Sequence, residues 1–185
     1  MASIGLALLL AAPVFQHPLP TQDADWAESA EFVFLNDQLT HITVTMDEAD
    51  LDDFLANPYL DVYVPCTVHI VNSKLDATHD NVGIRPRGNS QRGSAKAPWK
   101  LSFNTFVPGR QYHGIEKMNL NSESSDPSMS RESLAYEVLR KFGLPACRTN
   151  HVWLTINDGT KVKGVFNNVE QVDEEFIEAW FGNND

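Results

Sequence analysis

Residues 82–103 constrain the architecture of this chain more than any other stretch. Val82, Ile84 and Pro86 alternate with Gly83, Arg85 and Arg87. That period of two suits a strand with one buried face. Gly88, Asn89, Ser90, Gly93 and Ser94 then supply a loop composition that tolerates positive φ and close backbone approach. Alternation resumes at Trp99, with Trp99, Leu101 and Phe103 on one face and Lys100 and Ser102 on the other. In this register Arg85, Arg87 and Lys100 share polar faces beside a loop rich in amide and hydroxyl donors, a seat suited to phosphate.

Charge sets the same segment apart. The 185-residue chain carries 25 Asp and Glu against 14 Lys and Arg, a formal net charge of −11. Half of the basic residues nevertheless fall between Arg85 and Lys117, where the only acid is Glu116. A local positive field on an acidic protein suits an anionic ligand better than nucleic acid, which favours a basic domain; a solvated basic loop on an acidic domain is the alternative on charge alone.

The length suits one domain, and no apolar run is long enough for a spanning helix. Residues 4–12, IGLALLLAA, have the length of a signal-peptide core, although no Lys or Arg precedes them; a buried apolar helix is the alternative. Residues 1–20 are therefore read as a leader and residues 21–31 as an acidic linker. Cys66 and Cys147 are compatible with one disulfide if the chain is exported, and otherwise with two small apolar side chains. No Cys/His cluster suggests zinc.

Along the rest of the chain, short alternating runs predict strands at residues 32–35, 41–46, 63–71, 117–120, 149–157 and 161–169. Residues 72–80 read as a connection. Acids at residues 47–50 open a short helix whose apolar face is Leu51, Phe54 and Leu55. A longer helix ends at about residue 142, with Leu134, Val138 and Leu139 as its inward stripe, and a short one follows residue 170. The expected fold is α+β, a mainly antiparallel sheet with one long inserted helix.

The motifs resemble those of the CotH family, the spore-coat protein H proteins. VGIRPRGNS followed by PWKLSF is similar to the family's central signature, and GIEKMNLN, DPSMSRE, GLPACRT and VEQVD match further motifs in order. The resemblance covers residues 32–185. Two departures are Pro86, which removes a backbone donor, and Arg87 where Lys is usual. The family resembles atypical secretory protein kinases. The resemblance therefore implies a kinase-like N-terminal lobe, ATP and magnesium as cofactors, and transfer of phosphate to Ser or Thr of secreted or coat proteins. It also implies a secreted or cell-surface location.

Residue by residue, the resemblance implies a phosphate cover at Gly88, Asn89, Ser90 and Gly93. Kinase analogy favours Lys100 as the phosphate-binding cation, with Arg85 and Arg87 as open alternatives. The family's RE motif favours Glu132 over Glu137 as the helix carboxylate that holds the cation. Glu170 lies where backbone groups would meet adenine. Asn119 and Asn121 read as structural strand-end residues. The family's metal-binding aspartates are expected farther along, which makes this chain the leader and first lobe of a longer kinase, inactive alone. The alternative is a non-catalytic surface or coat-assembly binding module.

Overall fold

A computed structural model describes residues 29–182. The apolar leader and all but the last residues of the acidic linker lie outside the described residues. Seven strands form a closed barrel in the order β1-β2-β3-β4-β5-β7-β6. They are β1 (Thr40–Met46), β2 (Val64–Val71), β3 (Asp76–Pro86), β4 (Trp99–Ser102), β5 (Lys117–Asn121), β6 (Thr149–Ile156) and β7 (Val162–Glu170). All neighbours are antiparallel except β1 and β6, whose parallel pairing closes the ring with Ile42 opposite Leu154.

Alternation along most strands fills the interior. Ile42, Val44, Val68, Ile70, Val82, Ile84, Leu101, Met118, Leu120, Val152, Leu154 and Ile156 are fully buried in one cluster. Trp99, Leu101 and Phe103 point inward as their spacing predicts. Pro65 sits at the start of β2, where a missing donor costs little. Helix α1 (Glu48–Ala56) is capped by Asp47, whose carboxylate accepts from the Ala49 amide at 2.8 Å. It sends Leu51 and Phe54 into the core, Phe54 meeting Trp99 edge-on with ring centroids 6.0 Å apart.

This closed mixed barrel replaces the α+β arrangement expected from the sequence, a mainly antiparallel sheet with one long inserted helix in a kinase-like N-terminal lobe. The physical reason is pairing that alternation does not encode. The seam between β1 and β6 joins distant segments, so the sheet curls shut. Helix α2 (Arg131–Lys141) has only 11 residues and buries none of them.

Three local readings change as well. Residues 32–34 form a 3-10 turn that buries Val33 and Phe34, where a strand was expected. Residues 76–80 belong to β3, where a connection was expected. Leu134, Val138 and Leu139 of the expected inward stripe are exposed, as is Phe142 just past the helix. The strands beneath α2 offer Asn121 and Asn167, so the helix turns its polar side to the barrel: Glu132 accepts from both, and Ser133 donates to Asn167 at 3.0 Å. Asp126 prepares the start of α2 by accepting from the amides of Ser128, Ser130 and Arg131 at 3.1, 3.1 and 2.9 Å.

Helix α3 (Glu174–Phe181) buries Phe176 against Cys147 and Val169, with Tyr136 and Trp180 packed around them. Cys66 and Cys147 are both free, one in the barrel core and the other in this outer cluster. No helix among the described residues is long and apolar enough to cross a membrane.

Candidate anion-binding site

The site is built on the outer face of β3, β4 and β5. Strand register sets Arg85 opposite Lys100 and Lys100 opposite Asn119. The three residues thus form one row across the sheet, because directly paired residues share a face. Arg87 lies just past the end of β3, its amide bonded to the Pro98 carbonyl at 2.9 Å.

The three cations differ in what holds them. Arg85 is paired with Asp61 and lies 5.1 Å from the Tyr63 ring centroid. Arg87 donates to the side-chain carbonyl of Asn121, whose amide donates to Glu132 Oε2 at 2.8 Å. Lys100 donates to Gln171 Oε1 at 2.9 Å, an amide oxygen it shares with Asn119 Nδ2 at 3.1 Å. Among the described residues no carboxylate lies within ion-pair distance of the Lys100 ammonium. Burial, followed by Arg85, Arg87 and Lys117, pushes that ammonium down to about 8. Burial also lowers Arg87, against the pull of Glu132.

Beside this row opens a cleft of about 430 Å3, lined by Arg87, Asn89, Ser90, Asn121, Glu123 and Glu132 among others. The loop that forms one wall turns at Gly88, whose φ of +83° suits glycine. Arg92 braces it, donating from Nε to the Gly88 carbonyl at 2.6 Å and pairing with Asp61 at 3.0 Å. Across the cleft, burial and the neighbouring Glu132 carboxylate push Glu123 up to about 7.

The fold thus brings Arg87, Asn89, Ser90 and Glu132 to one cleft and sets Arg85 and Lys100 beside it. Glu132 meets Arg87 through Asn121, while Lys100 is held by Gln171. The Glu170 carboxylate is occupied elsewhere, accepting from the Arg148 backbone amide at 2.8 Å and from Arg148 Nε at 2.9 Å. Gln171, Asn121, Asn167 and Glu123 complete the site and were not singled out as ligand groups by the sequence. Gln171, Asn121 and Asn167 carry no sequence signal beyond amide side chains in or just past strands, and Glu123 none beyond being one of 25 acids. Asn119 is nearly fully buried, and its side-chain oxygen has no hydrogen-bond partner among the described residues.

A convergent set of cations with one carboxylate-free ammonium can bind a phosphate or similar anion. The same residues do not form a metal cage. No group of three or more His, Cys, Asp or Glu side chains able to hold a metal ion occurs among the described residues.

Comparison with known proteins agrees with the motifs. The family described as CotH kinase protein matches residues 84–185. The inner spore coat protein H of Bacillus subtilis (strain 168) is 26% identical over 128 residues, which are 69% of this chain and 33% of that protein. The chain therefore spans about a third of the length of this curated relative.

Proposed function

Because the chain belongs to the CotH family, we propose that it is the nucleotide-binding part of a protein kinase that phosphorylates Ser or Thr of secreted or coat proteins at the coat or cell surface. The observation that carries this reading is the Lys100 ammonium. It is half-buried, flanked by Arg85 and Arg87, and bonded only to an amide oxygen. A phosphate group of ATP arriving there replaces a neutral acceptor with a charged one, which strengthens the bond. Asn89 and Ser90 stand at the cleft's loop wall, where their side chains and backbone amides can contact the remaining phosphate oxygens. Arg85 and Arg87 add positive field.

Among the described residues no group of three or more His, Cys, Asp or Glu side chains is placed to hold magnesium. Phosphoryl transfer needs metal-holding acids and a group that positions the acceptor hydroxyl. On this reading the chain binds nucleotide and transfers no phosphate by itself.

Calorimetric titration of ATP into the full chain tests the reading. Saturable binding is expected, weakened at least about tenfold by Lys100→Met, the loss of one charge-assisted hydrogen bond. ATP binding that is absent, or indifferent to Lys100→Met, overturns it.

One observation favours a second reading, a non-catalytic surface or coat-assembly module. Helix α2 buries none of its residues and leaves Leu134, Val138 and Phe142 in solvent, a display suited to another coat protein. In that case the chain associates with coat protein and ignores nucleotide.

A further inference from the structure

The loop between β3 and β4 has two sides. Its first part, residues 88–91, lines the phosphate cleft, and residues 92–97 line a separate cavity of about 240 Å3. The apolar wall of this cavity is formed by Phe54, Pro86, Trp99 and Phe166. Every charged residue lining it is basic, on a chain whose net charge is −11.

Two of these four cations are already paired with acids, Arg92 with Asp61 and Lys161 with Glu48 and Asp52. Lys163 lies over the Trp153 ring, which does not line the cavity. Lys96, like Lys163, has no carboxylate within ion-pair distance among the described residues. Its ammonium donates to the Val165 carbonyl and sits 4.6 Å from the centroid of Phe166, one of the cavity's own walls. Burial lowers its pKa, the mark of a cation short of compensation.

We propose that this cavity binds a small monocarboxylic acid bearing an aromatic or branched aliphatic group, its carboxylate on Lys96 and its apolar part against Trp99 and Phe166. Size supports the class. A cavity of about 150 Å3 accommodates benzene, so the larger space here admits a ring with a short acid arm. It is too small for a nucleotide, which keeps the site separate from the phosphate cleft. Charge supports it too, because a partly desolvated ammonium gains most from an anion that brings its own apolar cover.

The test uses the full chain with phenylacetate and 4-methylpentanoate as probes, and the neutral phenylacetamide as control. Binding is followed by saturation-transfer NMR and calorimetry. Saturable binding of both acids is expected, with the amide at least about tenfold weaker because the charge-assisted bond is lost. Lys96→Met should weaken the acids by a similar factor, while Lys96→Arg should largely preserve binding. Ala97→Leu, which fills the cavity, should abolish binding of acid and amide alike, with circular dichroism confirming that the barrel is intact. Equal affinity for acid and amide, indifference to Lys96→Met, or no saturable binding of either acid overturns the proposal.

Discussion

Arg148 and Glu170 form a buried ion pair that joins the entry of β6 to the end of β7. The carboxylate takes both the guanidinium and the backbone amide of Arg148, and Glu31 adds a second acid at 3.3 Å. Removing Glu170 leaves the largely buried guanidinium with only the half-exposed Glu31 as its acid. Glu170→Ala should therefore cost about 3–5 kcal/mol in urea unfolding. The double variant Glu170→Ala/Arg148→Met should recover part of that loss. A single variant as stable as the parent would show that the pair is solvated.

Lys100 gives a sign-specific pH dependence. Its folded pKa, about 8, lies below its ordinary value of 10.5 because burial and neighbouring cations disfavour the charge. Between those two values the unfolded chain binds more protons, so stability rises with pH across that window. Lys100→Met should remove this rise, measured as the difference between parent and variant melting temperatures at pH 7.5 and 10. If ATP binds there, its affinity should fall as pH passes 8, since the ammonium is the form that holds phosphate.

Glu123 behaves in the opposite sense. Burial and Glu132 raise it from 4.5 to about 7, so the folded chain holds more protons between those values. Stability contributed by the protonated form is lost as pH rises through 7. Glu123→Gln should flatten that decline and melt above the parent at pH 8. An unchanged profile would place the carboxylate in open solvent.

The barrel interior and the outer helix should answer mutation differently. Leu154→Ala, at the parallel seam, should cost about 2–5 kcal/mol. Leu134→Ala on α2, 59% exposed, should change stability by no more than about 0.5 kcal/mol. Equal costs would return α2 to the core.

Much of the barrel is written in local pattern. The alternation through Ile42 and Val44, and through Trp99, Leu101 and Phe103, gives strands and their buried faces directly. Closure is not local, because nothing in the residues of β1 announces β6 as its neighbour. The stripe of Leu134 and Val138 misleads for a related reason. A helix's apolar side predicts burial only when the surface beneath it is apolar, and here that surface presents Asn121 and Asn167. At the site, the CotH motifs supply Arg87, Asn89, Ser90, Lys100 and Glu132. Contacts between segments distant in the chain decide that Glu132 meets Arg87 through Asn121, and that Gln171 meets Lys100.

The parallel seam also governs how the molecule comes to exist in time. Met46 and Asn157, bonded across that closure at 2.9 Å, are 111 residues apart in the chain. On a ribosome, β1 through β3 emerge as a sheet whose outer edge waits for most of the remaining domain before its partner is made. Long-range pairing of this kind slows folding, because the entropy of a large loop is lost before the contact rewards it. Until β6 arrives, β1 is an unpaired apolar edge, the segment most open to pairing with another nascent chain.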